Sequence, residues 1–413
     1  MDKDTKLSAY SQLFLPFFCE KITVQLKELE VDKYVKKLTT VQLIQLIAYA
    51  QIQQQDCLRE ISNNFHSPDF QTNIGLESIS FSQISRRLRD LHPETVKFLF
   101  GHALQELIIR VGIKNATKEL GRLHLIDSST ISLCLTQYPW AVFRKTKSGV
   151  KLHLRLKFWD GYFLPDQAII SNAKVADKRK MDELVVEDED AMNIFDRGYV
   201  DYKKFDQYCE RGARFTTRLK ENAIIEVVEE YPVSAKSPVL KDQRVYLGNN
   251  HTKMAHPVRL IEVLDTKGER VVIITNDFGV KAEEISDIYR QRWQIELFFK
   301  WIKQHFSVKH FYGTSQPAVE NQLFIALCTY CLLMLLKVET GFSKPLLELS
   351  RILTASFFEQ YTVFVEKLRR WRRKSRGRRK LNHEIIYRMT EWQVIETLDA
   401  SHLNDLTYDP IVP

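Results

Sequence analysis

Cysteine is scarce in this chain of 413 residues, which contains six. They are spread along the sequence without regular spacing, at Cys19, Cys57, Cys134, Cys209, Cys328 and Cys331. This pattern is typical of a reduced, cytoplasmic protein and excludes the class of small secreted domains held by disulfides. Cys328 and Cys331 have the spacing of half a tetrahedral metal site, but no second pair completes it. We therefore expect both in a buried helix.

Long apolar runs, a secretory signal and glycine-rich loops are missing as well. The apolar stretch at residues 323–336 has 14 positions, too few to cross a bilayer, so we expect a buried helix and no membrane partner. The polar N-terminus is not followed by the apolar region and small-residue cleavage site of a secretory signal. No phosphate-binding glycine loop occurs, so no nucleotide cofactor is expected.

Positive charge is concentrated near the C-terminus. The formal net charge is +8, and residues 367–380 contain many bases and no acid, so this segment accounts for the excess. A run of this kind attracts a polyanion such as DNA, with Arg369, Arg370, Arg372 and Arg373 as candidate contacts around Trp371. The alternative is a solvated basic run that contacts nothing in the folded protein.

Residues 1–115 show helical spacing of apolar side chains, clearest at 41–52 and 84–100. Thr39 and Ser80 can cap two of these helices, the second of which carries Arg86, Arg87 and Arg89. The two helices would suit a helix-turn-helix whose second helix enters a major groove, and we predict a helical DNA-binding domain. An ordinary bundle with solvated arginines is the alternative. A linker is expected near residues 113–115.

Strand patterns begin after that linker. Residues 150–158 alternate strictly between apolar and polar, which predicts a half-buried strand, and Asp160-Gly161 predicts a hairpin turn into the next strand. His153 lies in the polar row, where a structural role is more common than a catalytic one. Residues 222–276 look like an inserted β subdomain.

A later segment combines two stripes on one predicted helix. Tyr289, Arg292, Glu296, Lys300 and Lys303 share a face because they recur at near-multiples of a helical turn. The second stripe is apolar and predicts packing on a core: Ile285, Ile288, Ile295, Phe299, Ile302 and Phe306. The charged face suits phosphate binding around one carboxylate. A solvated helix with a Glu296–Lys300 pair is the alternative.

Two further acids follow strand-like segments. Asp127 ends the apolar run at residues 123–126, and Asp196 closes a short strand before Arg197-Gly198-Tyr199. Each alone would suit a turn or a helix cap. Together with Glu296 they form a set of three carboxylates on separate elements. Such a set suits two divalent cations, for which oxygen ligands are preferred, and we expect two Mg²⁺ ions, with Mn²⁺ as a possible substitute.

These motifs resemble a known family. Tyr289-x2-Arg292-x3-Glu296-x6-Lys303 is similar to the Y-R-E-K signature of DDE transposases from one large group of bacterial insertion sequences. This motif and two aspartate motifs earlier in the chain occur in the family's order and with compatible gaps, which makes the resemblance specific.

The aspartate motifs carry the resemblance further along the chain. Asp127-Ser-Ser-Thr130 resembles the first acidic motif of the group and Asp196-Arg-Gly-Tyr199 the second, and residues 215–220 are similar to the strand that follows. The resemblance covers roughly residues 116–340. No tryptophan occurs between Asp196 and Trp293, so a family strategy that stacks an indole near a flipped base does not carry over.

The resemblance implies an α/β, ribonuclease H-like mixed sheet with a β-rich insertion, and three regions. These are a helical DNA-binding domain at 1–115, a DDE catalytic domain at 116–340 and a helical basic region at 341–413. It further implies cut-and-paste movement of DNA by end cleavage and strand transfer, with Asp127, Asp196 and Glu296 as catalytic metal ligands.

Partners and alternatives follow from the same resemblance. Tyr289, Arg292, Lys303 and also Lys300 would contact the bound DNA end. The expected partners are the terminal inverted repeats, target DNA and a second copy of the chain, in the cytoplasm with the nucleoid. A nuclease of this fold that does not join DNA, and a DNA-binding regulator descended from a transposase, remain alternatives.

Overall fold

The structure is a computed structural model that describes residues 7–112, 122–159, 162–234, 237–264, 268–306, 308 and 310–370. The helices in these ranges come from the N-terminal region, the middle and the C-terminal region. They are α1 (Ala9–Phe14), α2 (Glu20–Glu28), α3 (Thr40–Ile52), α4 (Leu58–Asn63), α5 (Pro68–Ile74), α6 (Phe81–Asp90), α7 (Pro93–Gly112), α8 (Met181–Leu184), α9 (Tyr202–Arg211), α10 (Ala282–Arg290), α11 (Trp293–His305), α12 (Gln316–Thr340), α13 (Leu346–Thr354) and α14 (Tyr361–Arg370).

Ten strands form one mixed sheet in the described residues. They are β1 (Arg122–Leu133), β2 (Val142–Arg144), β3 (Lys147–Trp159), β4 (Tyr162–Asn172), β5 (Ala191–Phe195), β6 (Arg214–Arg218), β7 (Ile225–Glu230), β8 (Val239–Leu247), β9 (Val258–Leu264) and β10 (Arg270–Thr275). The strand order is β2-β3-β1-β5-β6-β10-β9-β8-β7, and β4 pairs with β3. This is the α/β, ribonuclease H-like class expected from the sequence.

The centre of the sheet carries both predicted aspartates. β1 runs antiparallel to β3 on one side and parallel to β5 on the other, so it is an interior strand of the sheet. Leu123, Leu125 and Ile126 are buried, as expected for a central strand covered on both faces. The predicted strand at residues 150–158 is confirmed within β3. It forms a hairpin with β4 in which Trp159 pairs with Tyr162, and the predicted turn residues between them lie outside the described ranges.

Residues 222–276, predicted as an inserted β subdomain, contain β7 to β10, which continue the central sheet. β10 pairs antiparallel with β6, and β9, β8 and β7 continue outward from it. Six of the seven residues of β9 are buried, so these strands extend the central sheet and its core. The physical reason is that β6 would otherwise be an edge with unpaired backbone groups, which β10 satisfies.

The helix caps predicted near the N-terminus are confirmed. Thr39 and Gln42 form a capping box at α3, and Ser80 and Gln83 form one at α6. The helix-turn-helix prediction is wrong, because α4 and α5 lie between these two helices. The helix predicted across residues 84–100 is also two helices, since it is broken ahead of Pro93, which disfavours helical backbone in the preceding residue.

α12 is the central helix of the helical region, and its 25 residues exceed the 14 expected from the sequence. By length and composition it could cross a membrane, but 83% of its most apolar window is buried inside the protein. Asn321 donates to the carbonyls of Leu88 (2.9 Å) and Leu91 (2.7 Å), which ties α12 to the end of α6. Cys328 and Cys331 are buried and free, as predicted.

The two ends of the described chain meet beside α12. Ser8 forms a β-bridge with Gln360, and the Tyr361 amide donates to the Leu7 carbonyl at 2.8 Å. One apolar core extends from Ala9 to Leu368 and includes residues of α3, α7, α11, α12 and the sheet. The described parts of the three regions expected from the sequence therefore share one core.

Candidate active site

Asp127 lies within β1, and 17% of its side chain is exposed. The Ser128 amide donates to its Oδ1 at 2.7 Å. Burial raises the pKa of Asp127 to about 7, and the charges of Glu296 and Asp196 add to that rise, while Arg292 and the Ser128 amide oppose it. The carboxylate therefore sits in a poorly hydrated site that disfavours its charge.

Asp196 lies at the end of β5, beside Asp127. Ile126 pairs with Phe195 in the parallel register, so the two aspartates are the next residues on neighbouring strands, which run about 4.8 Å apart. After Asp196 the chain enters a 3₁₀ turn, Arg197–Tyr199, in which the Tyr199 amide donates to the Asp196 carbonyl at 3.0 Å. The sheet thus brings the two predicted acids together from 69 positions apart in the sequence.

The helix predicted to carry the third acid is two helices, α10 and α11. Between them the hydrogen bonds join residues three apart, as in Gln291 to Ile288 (3.1 Å) and Arg292 to Tyr289 (3.1 Å). This tighter winding interrupts the α-helical hydrogen-bond pattern between Tyr289 and Glu296, so the segment is two helices. The apolar stripe predicted for this segment is confirmed, and all six of its members are buried.

Arg292 bridges the acids. Its Nη1 lies 2.5 Å from Glu296 Oε1 and 4.0 Å from Asp127 Oδ2. The guanidinium is nearly buried and lies over the Trp293 ring at 5.2 Å and near the Tyr289 ring at 6.0 Å. Burial alone would lower the pKa of Arg292, but the neighbouring phenol and carboxylates outweigh it and raise the pKa. Arg292 is therefore a fixed cation at the site.

Lys303 connects α11 to the strand of the first acid. Its Nζ donates to Ser129 Oγ at 2.7 Å and to the Thr130 carbonyl at 3.0 Å. Lys300 is half-buried one turn earlier on α11. The structure therefore places Asp127, Asp196, Arg292, Glu296 and Lys303 around the middle of β1, where the neighbouring strand β5 ends.

Comparison with known families identifies the chain. The family model described as the transposase DDE domain matches residues 119–332, a span that contains β1, β5 and α11. The chain belongs to the DDE transposases. A second model, described as a domain of unknown function (DUF4372), matches residues 5–71, which include α1 to α3.

Relatives of this DDE transposase are named as transposases of insertion sequences. The probable transposase for element IS5377 of Geobacillus stearothermophilus is 28% identical over 337 residues, which cover 76% of this chain and 86% of the relative. The putative transposase y4zB of Sinorhizobium fredii is 32% identical over 257 residues, covering 60% and 70%. The transposase is thus an enzyme that acts on DNA.

DDE transposase domains use divalent metal ions in general, and the acids of this chain fit that chemistry. Burial raises the pKa of Asp127, the charges of Glu296 and Asp196 add to that rise, and a hard cation held by these acids would offset the cost of the buried charge. In the described ranges, no group of three His, Cys, Asp or Glu side chains lies close enough to hold one ion, and the Glu296 carboxylate is ion-paired with Arg292.

The predicted DNA contacts outside the site are differently placed. Arg86 is exposed, and Arg89 is exposed and paired with Asp90 at 2.8 Å. Arg87 is turned inward, where it contacts Asp32 and donates to Thr40 Oγ1 at 2.8 Å. Arg369 and Arg370 are exposed at the end of α14, whereas Arg372 and Arg373 lie outside the described residues.

Sequence reasoning missed one polar group beside the acids. On the other face of β1, Ser128 and Lys151 each donate a hydrogen bond to Asp177, and His153 lies next to them. His153 is buried and its Nε2 lies 2.8 Å from Ser171 Oγ, which fits the structural role expected for it. The polar row of β3 was the available signal, but only the register shows that it lies opposite Ser128.

Proposed function

We propose that this transposase moves an insertion sequence by cut-and-paste, with Asp127, Asp196 and Glu296 holding two Mg²⁺ ions, or Mn²⁺ in their place. The observation that carries the proposal is that Asp127 and Asp196 directly follow the paired Ile126 and Phe195 on adjacent parallel strands, with Glu296 tied to Asp127 through Arg292. When bound there, the ions would activate the attacking oxygen and stabilise the leaving one. Water attacks the phosphodiester at the element boundary, and the freed 3′ hydroxyl later attacks target DNA.

Tyr289, Arg292, Lys300 and Lys303 are the proposed contacts to the DNA end at the cut, as in the Y-R-E-K group. Arg292 supports this role because it already balances carboxylates and is stacked between aromatic rings, which limits its freedom. Lys303 has a second task, since its bonds to β1 fix α11 against the strand of Asp127.

A surface near α6 is the proposed contact for terminal-repeat DNA. Arg86 is exposed there, and Arg87 holds the loop before α3 against α6 by donating to the carbonyls of Val31 (3.2 Å) and Leu38 (3.3 Å). That loop presents exposed Lys36 and Lys37. Of the three N-terminal arginines, Arg86 and Arg89 are therefore the proposed DNA contacts. Arg87 instead holds the loop before α3 against α6.

We further propose that a homodimer holds the two element ends together, in the cytoplasm with the nucleoid. Duplex DNA is the partner of the basic segment at 367–380, whose exposed members include Arg369 and Arg370. Excision needs both ends at once, so cleavage by a dimer on paired ends is the expected form of the reaction.

The triad is tested by single replacements of Asp127, Asp196 and Glu296 with Ala. Each should lower cleavage and strand transfer at least about a thousandfold, because several kcal/mol of charge stabilisation is lost, while affinity for end DNA stays nearly intact. Asp287→Ala is the matched control, since this acid is exposed on α10 and pairs only with Arg290 in the described residues.

Gel analysis of cleaved and joined products separates the alternatives. A variant of the triad that cleaves like the wild type would remove that residue from the proposal. Cleavage without joined products would favour a nuclease. Specific DNA binding by a wild-type chain that neither cleaves nor joins would favour a regulator.

A further inference from the structure

A second polar network lies on the face of β1 turned away from α11. Ser128 is directly opposite His153, and Thr130 is opposite Lys151, in the antiparallel register with β3. Opposite residues share a face, and neighbouring residues alternate, so Ser128, Lys151 and His153 lie on one face and Asp127 on the other. That face is covered by the buried cluster that includes Met181, Leu184 and Phe205.

Asp177 is the centre of this network. Ser128 Oγ donates to its Oδ1 at 2.5 Å, and Lys151 Nζ donates to the same oxygen at 3.0 Å. Lys151 also donates to the Val175 carbonyl at 3.0 Å, which fixes its position. The Asp177 side chain is 30% exposed and that of Lys151 13%, so the ion pair is largely shielded from water and its hydrogen bonds are strengthened.

His153 does not donate a hydrogen bond to Asp177, so Ser128 and Lys151 are the donors. Ser171 Oγ donates to the Asn172 carbonyl at 3.2 Å and therefore accepts from His153 Nε2 at 2.8 Å. Burial lowers the pKa of His153 to about 4, so the ring is neutral at neutral pH. Its Nδ1, 3.7 Å from Asp177, then carries a lone pair rather than a proton.

The same network contacts the strand that carries Asp127 and the segment that follows Asp196. Ser128 uses its hydroxyl for Asp177 and its amide for Asp127 Oδ1, at 2.7 Å, so a single residue joins the two carboxylates. The turn that begins at Asp177 is tied to the segment after Asp196 by an ion pair between Lys178 Nζ and Asp201 Oδ2, at 3.3 Å.

We propose that Asp177 is a positioning residue of the active site. It holds Ser128, and through the Ser128 amide the Asp127 carboxylate, against the segment that carries Asp196. This proposal rests on the proposed function, since the property that it fixes is the orientation of a metal-holding acid. Partners that orient such ligands commonly change metal affinity about 10- to 100-fold when they are removed.

The test measures Mn²⁺ binding to the full chain by the electron paramagnetic resonance signal of the free ion, together with the thermal midpoint. Asp177→Ala and Ser128→Ala should each weaken Mn²⁺ binding about tenfold and raise the Mg²⁺ concentration needed for half-maximal cleavage by a similar factor. The double variant should bind Mn²⁺ no more weakly than the weaker-binding single variant, because both replacements remove the same contact. Ser128→Thr keeps the hydroxyl and should stay within about twofold of the wild type.

Asp182→Ala is the matched control. Asp182 lies five residues after Asp177, on α8, and accepts a hydrogen bond from Tyr208 of α9 at 2.6 Å, so its loss should lower the thermal midpoint without changing Mn²⁺ affinity. Wild-type Mn²⁺ affinity in both Asp177→Ala and Ser128→Ala would overturn the positioning role. So would equal losses of affinity in Asp182→Ala. If Ala at position 177 prevents folding, Ser128→Ala alone decides the question.

Failure of the proposed function gives a different result. In that case the wild-type chain and Asp127→Ala would bind Mn²⁺ equally weakly, and neither would cleave. If the wild type binds the ion, Asp127→Ala does not, and the Asp177 and Ser128 variants bind normally, the positioning role fails while the proposed function stands.

Discussion

Asp127 is a residue whose charge the folded chain disfavours. Burial raises its pKa from 3.8 to about 7. Well below pH 3.8 the residue is neutral in both the folded and the unfolded chain, so it does not affect stability. As the pH rises towards 7, only the unfolded chain gains by releasing the proton, and the free energy of unfolding falls.

Asp127→Asn should therefore stabilise the metal-free chain at pH 8 by at most ~4 kcal/mol, taking about 1.4 kcal/mol for each tenfold change in proton affinity. The gain should shrink steadily between about pH 7 and pH 4. Thermal unfolding in a chelator across this range measures it, with Asp287→Asn as a control for losing an exposed carboxylate. A gain that does not depend on pH would contradict the assigned pKa.

At the scale of helices and strands, the sequence correctly predicted the features that depend on residues close together in the chain. The caps at Thr39 and Ser80 and the apolar stripe of α10 and α11 depend on residues within one or two turns, and they are confirmed. The pairing of β10 with β6 and the break before Arg292 could not be predicted. The first depends on the need of a distant strand for a partner, and the second is a local change in hydrogen-bond spacing across which the apolar and charged stripes continue unchanged.

α6 provides a prediction that separates folding from DNA binding. Arg87→Ala should lower the thermal midpoint and cost about 1–3 kcal/mol, because Asp32 and two backbone carbonyls lose a charged donor in a mostly shielded site. Arg86→Gln and Arg89→Gln should each change stability by less than about 0.5 kcal/mol, since both side chains are exposed.

The same variants are then compared on DNA. If Arg86 and Arg89 contact base edges, each replacement should reduce the preference of the full chain for terminal-repeat over scrambled duplex by about 1–3 kcal/mol in a competition assay. The full chain is required because α3 and α6 pack on α12, so a fragment ending near residue 115 would expose this core. An unchanged preference would leave the N-terminal helices with a structural role only.

The charge distribution is a property of the whole molecule, and it predicts salt dependence. Seven arginines of the basic segment would be changed together to Gln: Arg369, Arg370, Arg372, Arg373, Arg376, Arg378 and Arg379. Each phosphate contact contributes about −0.9 to the slope of log affinity against log salt concentration, so loss of about four contacts should flatten that slope by roughly 3–4. Sequence preference should change little. An identical slope on scrambled duplex would mean that the segment contacts no phosphate.

The burial of α3 against α12 has a consequence for protein synthesis. Gln51 on α3 donates to the carbonyl of Gln322 on α12 at 3.0 Å, but the ribosome makes the second residue 271 positions after the first. At a synthesis rate of about 5–20 residues per second, the apolar surface of α3 is made roughly 10–50 s before the part of α12 that covers it. A nascent chain therefore cannot complete its N-terminal region until most of its length has emerged. Premature termination before α12 would leave that surface exposed to chaperones and proteases, so the cell would accumulate few truncated copies.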